Sequence, residues 1–458
     1  MRQKVKHIHF VGVGGIGMSG IAEVLLNLGY IISGSDLAQS EATRRLEKLG
    51  ARIHVPHRAE NVGNAEVVVT STAIRDDNPE VLIAQAKGIP VIPRAEMLAE
   101  LLKMKFSIAV SGSHGKTTTT SMIATVLAHG GLDPTMVIGG KLSSIGSNAK
   151  IGAGGIIVAE ADESDRSFLK LSPTIAAITN IDLEHIDHYR DIEDIKDAFV
   201  DFANRVPFYG ATILFVGDAN VEAIIPRLKR RLITCGLSAK NDYWAADIKE
   251  EGYGSSFCLY KGEKSLGVVS LKVPGRFNVK NALVTIACAL ELGMSIDELR
   301  VAIQDFSGVQ RRLEVKGEVR GITVVDDYGH HPTEIWETLH AARGAWRTGR
   351  IVTVFQPHRY TRTQGLFSEF IHCFDAADEV VMLDIYPASE SPIAGVTSSA
   401  LCAAMQSAGY AQVQYMADVE KIVQHLRQTL GAGDVLITQG AGDVYKIGEK
   451  LLQLLREG

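Results

Sequence analysis

Short apolar runs alternate with amphipathic stretches along the whole chain, and no internal repeat or low-complexity linker interrupts them. That alternation predicts helices packed on mostly parallel sheets, because a parallel strand covered on both faces reads as a continuous apolar run. The first unit opens with the run His7 to Val11, followed by glycines and a helical stretch from Met18 to Leu28 that Gly29 can end. Ile31 to Ser33 is the next strand. A helix-like segment, Ala95 to Lys103, precedes a new strand at Phe106 to Val110, which runs into a second glycine-rich turn. Between Asn241 and Val273 the helical signal fades into alternating segments such as Ser256 to Tyr260, predicting inserted antiparallel strands. A third α/β unit begins near Ile322 to Asp326, with later strands at Ile351 to Phe355, Glu379 to Leu383 and Asp434 to Ile437.

A chain of 458 residues is longer than one hydrophobic core usually serves, so the alternation divides into three domains, expected at 1–104, 105–312 and 313–458. Lys plus Arg number 47 against 53 Asp plus Glu, a net charge of -6, so no general positive field draws in nucleic-acid phosphates. The five cysteines are scattered and odd in number, without the paired spacings of a zinc site or disulfide framework. Buried free thiols in a reducing compartment fit that pattern. The apolar stretch between Met1 and Gly17 is short, glycine-broken and lacks a small-residue cleavage site, and no other run is long enough to cross a membrane. The expected setting is the cytoplasm, with neither membrane nor nucleic acid as partner.

The strongest chemical signal follows the strand at 106–110. Gly112-Ser113-His114-Gly115-Lys116-Thr117-Thr118 places glycines where backbone N–H groups can approach phosphate oxygens, a lysine to add charge, and a hydroxyl at a helix start to ligate magnesium. The common phosphate loop has its first glycine six positions before the lysine; Val110 stands there, so this is a shortened variant. Of Thr117 to Thr120, the first one or two are expected to serve the site and the rest to pack. Magnesium needs further hard oxygens, and two acidic clusters end nearby strands: Glu160-Ala161-Asp162-Glu163-Ser164-Asp165, and Asn180 to His188. At the amino terminus Gly12-Val13-Gly14-Gly15-Ile16-Gly17 matches Gly-x-Gly-x-x-Gly, with Asp36 after the next strand where a ribose-binding acid would sit. That turn alone points to a nicotinamide enzyme, but a nucleotide-sugar offers the same pyrophosphate and ribose.

Taken together, the amino-terminal glycine turn, the Gly-x-x-Gly-Lys-Thr loop and the third α/β unit resemble the Mur ligases of peptidoglycan synthesis over essentially the whole chain. The segments that match are Gly12 to Gly20, Ser111 to Thr118, Glu160 to Asp165, Asp326 to Pro332 and Gln356 to Arg362. The resemblance implies a Rossmann-like first domain holding UDP-N-acetylmuramate through Gly12, Gly14, Gly15, Gly17 and Asp36. It implies a central mononucleotide-binding ATPase domain with extra antiparallel strands, and a Rossmann-like last domain that receives the amino acid, L-alanine. ATP would be held by Gly112 to Thr118, by Asn281 within Pro274 to Ala282, and by Arg312 or Arg311 at the junction. Thr117 and Glu160 would hold one magnesium and His185 a second metal, where an imidazole leaves room for manganese. Asp327, Tyr328 and His330 would complete the ATP and amino-acid sites, and His358 and Arg359 would meet the carboxylates. His331, Tyr360 and Arg362 would shape the loops. Several relatives use a carbamylated lysine, which has no convincing counterpart here; Lys196 is nearby, without an assigned role.

What the resemblance implies chemically is an acyl phosphate, formed when the lactyl carboxylate attacks the γ-phosphate and then captured by the amine of alanine. Lys116 and the metal would neutralise charge in the first step, Arg359 and the metal would stabilise the oxyanion of the second, and His330 or His358 would take the amine's proton. Protection of the acyl phosphate from water calls for domain closure, with hinges expected near 103–107 and 311–321. A monomer or weak homodimer is expected. Three rival readings are a tripeptide-adding recycling ligase on the same sugar nucleotide, a nicotinamide oxidoreductase, and a regulatory nucleotide binder without catalysis.

Overall fold

Three sheets built from short strands, most of them apolar, order the protein, whose computed structural model describes residues 5–71, 73–138, 149–184 and 188–457. In the first sheet the order is Arg52–His54, Ile31–Ser35, His7–Val11, Val67–Thr70, Val91–Pro93, all parallel. His7–Val11 is buried along its whole length, as its unbroken apolar reading requires. The helix Ile16–Asn27 follows it directly, and Gly29, at φ +88, turns the chain into the next strand.

The second sheet has ten strands, and the one preceding the phosphate loop, Phe106–Ser111, lies between Ile156–Glu160 and Ile175–Ile178. Both pairings are parallel. The inserted strands Tyr243–Glu250, Ser255–Lys261 and Lys264–Leu271 extend one edge through short turns, which only antiparallel neighbours permit. In the third sheet the order is Glu314–Val319, Ile322–Asp327, Val435–Gln439, Ile351–Phe355, Glu379–Met382, Val413–Tyr415, with only the first pair antiparallel. This unit therefore starts earlier than its apolar run at Ile322. Glu314–Val319 alternates charged and small apolar residues, too polar to read as a buried strand, and it forms the sheet's edge.

By contacts the chain groups into two compact units, one of residues 1–246, 258–269 and 280–307, the other of 247–257, 270–279 and 308–458. In the first, one continuous core runs from Ile8, Phe10, Met18 and Ile21 through Leu98, Leu101 and Leu102 to Ile157, Phe168, Phe199 and Phe202. The helix Arg94–Leu102 packs on the short turn Ser167–Lys170, so the segment near 103–107 lies within one packed body. Phe168 sits at the centre, its ring 5.3 Å from Phe199 and 5.0 Å from Phe202. In the second unit, Val325, Ile335, Phe355, Phe370 and Phe374 fill one face of the sheet and Val324, Val354, Leu436 and Leu451 the other. Four of the five cysteines are buried and all are free thiols; Cys258 is half-buried, on the strand Ser255–Lys261. Among the described residues no helix is long and apolar enough to cross a membrane.

Phe168→Ala is expected to destabilise the first unit by about 3–5 kcal/mol, the usual cost of emptying a fully enclosed aromatic site. Urea unfolding followed by tryptophan-independent circular dichroism measures it, and an unchanged midpoint would contradict the shared core.

Candidate active site

Strand order places the phosphate loop at a point where the connections on its two sides run in opposite directions, the position at which open parallel sheets leave a crevice at their carboxyl ends. Two glycines make the turn. Gly112 has φ +137 and Gly115 φ +80, both outside the ordinary range of residues with a Cβ. A Cβ on Gly112 would lie 2.1 Å from Thr179 Oγ1, and one on Gly115 would lie 2.7 Å from Asn281 Oδ1. Asn180 clamps the loop, its Oδ1 accepting from His114 N at 2.9 Å and its Nδ2 donating to His114 O at 2.9 Å. The Ser113 hydroxyl accepts from Asp182 N at 2.8 Å. Helix Lys116–His129 starts at once, with Gly115 as its N-cap and no side chain capping it. Its first-turn N–H groups and dipole therefore favour an anion at this end.

Charge is concentrated around Lys116. Its Nζ donates to Gly112 O at 2.6 Å, to Ser113 O at 3.1 Å and to Glu163 Oε1 at 2.7 Å, so all three ammonium hydrogens have acceptors. Burial alone would lower its pKa, but the carboxylates of Glu163, Asp162 and Glu160 outweigh it and hold the pKa above the ordinary lysine value. Asp162 shows the reverse balance, its burial offset chiefly by Lys116, so its pKa falls. Thr117 Oγ1 lies 3.0 and 3.1 Å from the two oxygens of Glu160. A hydroxyl and a carboxylate at the head of the loop are hard oxygen donors, and this set fits magnesium. Thr119 and Thr120 are fully buried, and Thr120 Oγ1 bonds back to Lys116 O at 2.8 Å, a packing role as expected. His185, expected to bind a second metal, lies outside the described residues. Lys196 is on the helix Ile192–Asn204, where it pairs with Glu193.

The amino-terminal turn is equally well fixed. Gly12 N and Val13 N donate to Ser35 O at 2.9 and 3.0 Å, and Gly14 N donates to Asp36 Oδ2 at 2.7 Å. Asp36 is thereby drawn against the turn, 2.8 Å from where a Cβ on Gly14 would stand. Gly15 caps the helix Ile16–Asn27, and Gly17 lies beside Arg94, whose guanidinium a Cβ there would meet at 2.3 Å.

In the second unit the turns after Ile322–Asp327 and Ile351–Phe355 carry the remaining predicted residues. Asp327 is turned inward, accepting from Leu313 N and Gly329 N at 2.8 Å each and from Thr338 Oγ1 at 3.1 Å; burial raises its pKa. It shapes the turn that presents Tyr328 and His330. Arg311 is held by Asp326 at 3.0 Å and Gly440 O at 2.8 Å and lies over the rings of Tyr328 and Tyr445. Arg312 has a looser contact, 3.4 Å to Glu334, and also lies over Tyr328. His330 Nδ1 faces Tyr328 O at 3.1 Å, which makes that nitrogen the donor and Nε2 the basic one. His358 is the opposite case. Arg362 Nη1 donates to its Nδ1 at 3.1 Å, so the neutral ring carries its proton on Nε2. Burial, then the neighbouring His330, Arg362 and Arg359, push the His358 pKa down to about 3. Its ring stacks on Tyr386 at 5.6 Å, and Arg359 N donates to Tyr386 O at 2.8 Å. Arg359 itself has φ +69 as N-cap of the helix Tyr360–Gly365.

Several partners escaped the sequence reading. Glu163 stands in the sequence only as one of a run of acids, and Glu334, whose Oε2 accepts from His330 N at 3.0 Å, was not singled out. Glu390 accepts from Thr361 N at 3.1 Å and the Thr361 hydroxyl at 2.7 Å, pinning the loop behind His358; no local signal marks it.

Comparison with known proteins places these features in order. Residues 7–106 match the description Mur ligase family, catalytic domain; residues 110–289 match Mur ligase middle domain; residues 311–442 match Mur ligase, glutamate ligase domain. The chain is 59% identical over 457 residues to a UDP-N-acetylmuramate--L-alanine ligase of Syntrophus aciditrophicus, covering 100% of this chain and 95% of that one. It is 57% identical to the protein of that name from Geotalea daltonii, with 100% of each covered. Its fold superposes on the crystal structure of UDP-N-acetylmuramate-alanine ligase from Thermotoga maritima with a TM-score of 0.82 at 30% identity, covering 99% of both chains. A murein peptide ligase from Psychrobacter arcticus superposes with a TM-score of 0.70 at 25% identity, covering 98% of both.

Gly112→Ala is expected to abolish binding of a nucleoside triphosphate, measured by calorimetry, because the added carbon forces Thr179 and the loop apart. Undiminished binding would refute this role for the turn. His358 is expected to stay neutral between pH 5 and 8, since its folded pKa lies far below the ordinary histidine value. Having the lower pKa in the fold, it takes up a proton more readily when unfolded, so its contribution to stability falls as pH drops from about 6.5 towards 3. Nitrogen-15 spectra would show an Nε2–H ring throughout; a titration step near the ordinary value would overturn the assignment.

Proposed function

The chain belongs to the Mur ligase family, and from that premise we propose how its residues divide the work of an ATP-dependent amide-bond ligase that joins L-alanine to the lactyl carboxylate of UDP-N-acetylmuramate. The observation that carries the reading is the agreement in identity, over the full length, with relatives bearing that enzyme name, together with a phosphate loop whose lysine is ringed by carboxylates. The reaction belongs to peptidoglycan precursor synthesis, and we place it in the cytoplasm, with the chain acting as a monomer or weak homodimer.

Domains are assigned as 1–104 for the sugar nucleotide, 105–312 for ATP and 313–458 for the amino acid. The amides of Gly12 to Gly17 and the carboxylate of Asp36 would take the pyrophosphate and ribose of UDP-N-acetylmuramate. Gly112 to Thr118 would wrap the ATP phosphates, with Asn281 beside the loop and Arg312 as the junction arginine; Arg311 is already committed to Asp326 and Gly440. Thr117 and Glu160 would hold magnesium, which supplies charge neutralisation at the transferring phosphoryl group. His185 is kept as the residue for a second metal, magnesium or manganese.

Lys116 must exchange one of its present acceptors for a phosphate oxygen. The carboxylates around it keep it charged for that purpose. Attack of the lactyl carboxylate on the γ-phosphate gives the acyl phosphate and ADP; attack by the alanine amine then forms the amide and releases phosphate. Removal of the amine's proton is assigned to His330, because its Nδ1 is committed as a donor to Tyr328 O and its Nε2 is the basic nitrogen. His358, protonated on Nε2, is suited to donating a hydrogen bond to a carboxylate beside Arg359.

Phosphate release from ATP in the presence of UDP-N-acetylmuramate is expected to rise strongly with L-alanine and not with L-alanyl-γ-D-glutamyl-diaminopimelate; the opposite response would move the protein to the recycling reaction. Lys116→Ala should abolish that release while binding of the UDP-sugar, followed by calorimetry, persists. Loss of both would argue against separate sites.

A further inference from the structure

Beneath the carboxyl edge of the first sheet lies a buried polar network that the chemistry above does not use. Its centre is Glu80, in the first turn of the helix Pro79–Ala86 and fully buried. Oε1 accepts from Arg58 N at 3.0 Å and Asn61 Nδ2 at 2.6 Å. Oε2 accepts from the Ser35 hydroxyl and from His9 Nε2 at 3.2 Å. Because the single proton of Ser35 goes to Glu80, His57 Nδ1, 2.8 Å from the same hydroxyl, must be a donor.

A chain of polar side chains runs away from the carboxylate on the other side. His9 Nδ1 lies 2.7 Å from Ser33 Oγ, Ser33 Oγ lies 2.8 Å from His7 Nε2, and His7 Nδ1 lies 3.1 Å from the Asn64 side-chain amide. The Asn64 side-chain oxygen accepts from His7 Nδ1. Burial lowers the pKa of His7. The donors converging on Glu80 outweigh its burial and hold its pKa down to about 2, so the carboxylate is ionised at any working pH.

Ser35 is where this network meets the glycine turn. Its carbonyl receives Gly12 N and Val13 N, and the next residue, Asp36, receives Gly14 N. We infer that Glu80 is a positioning residue for the sugar-nucleotide site: by fixing Ser35 from one side and the segment 57–61 from the other, it sets the glycine turn and Asp36 in place before the ligand arrives. The inference rests on the proposed binding of UDP-N-acetylmuramate at that turn.

Glu80→Gln tests it in the full chain, since the amide keeps the shape but replaces one acceptor oxygen with a donor. Losing charge-assisted bonds of this kind is expected to raise KM for UDP-N-acetylmuramate about tenfold, with kcat and KM for ATP little changed. Ser35→Ala, a smaller perturbation that leaves the backbone bonds in place, should move the same constant in the same direction and serves if Glu80→Gln does not fold. Asp36→Asn is the companion variant. A raised KM in Asp36→Asn with no change in Glu80→Gln and Ser35→Ala would overturn the positioning role and leave the site reading standing. No change in any of the three would overturn both. Equal losses in kcat and in both KM values, with a lower melting temperature, would mark Glu80 as a purely structural anchor.

Discussion

Parallel pairing of Phe106–Ser111 with a neighbour on each side is the constraint from which the central site follows. Because both neighbours run the same way, their carboxyl ends arrive at the same level as the phosphate loop. One delivers Glu160 opposite Thr117; the other delivers Thr179 and Asn180 to brace His114. An antiparallel neighbour would have brought an amino-terminal end and its incoming loop there instead. The chemistry of the loop is thus a property of the sheet as much as of the glycines and the lysine.

Placing Lys116 among three carboxylates has an energetic logic. An isolated buried ammonium would shed its proton rather than remain charged, and an isolated buried carboxylate would take one up. Here Lys116 and Asp162 keep each other ionised, so a positive charge stands ready with little solvent to screen it. The same device appears around Glu80, where an imidazole, a hydroxyl, a side-chain amide and a backbone N–H take the place of the ammonium. In both places the fold supports a charge that it could not support alone.

Much of the fold was legible in the sequence because buried parallel strands are written as unbroken apolar runs. Ile351–Phe355 was read at its observed bounds, and Phe106–Ser111 differs by one residue. Glu314–Val319 was missed because an edge strand needs only one covered face and tolerates charges. At the site, Lys116, Thr117 and Glu160 were legible because each sits in or directly after a recognisable strand-and-turn signal. Asn281, which lies beside Gly115, was singled out through resemblance alone, since nothing local ties it to a loop more than a hundred residues earlier. The different settings of His330 and His358 were invisible, because they depend on which neighbour faces each ring nitrogen: a backbone carbonyl in one case, a guanidinium in the other.

The continuous core of the first unit carries a lesson about modularity. Two of the family descriptions meet near residues 106–110, and a reader of the sequence would cut the chain there. Yet Leu98, Leu101 and Leu102, on the last helix before that border, bury into the same apolar mass as Phe168 and Phe199 beyond it. Genetic exchange of the amino-terminal segment between relatives would therefore carry half of a hydrophobic interface into a foreign partner. The border is a unit of descent, while the mechanical part inherited intact is the pair of sheets together.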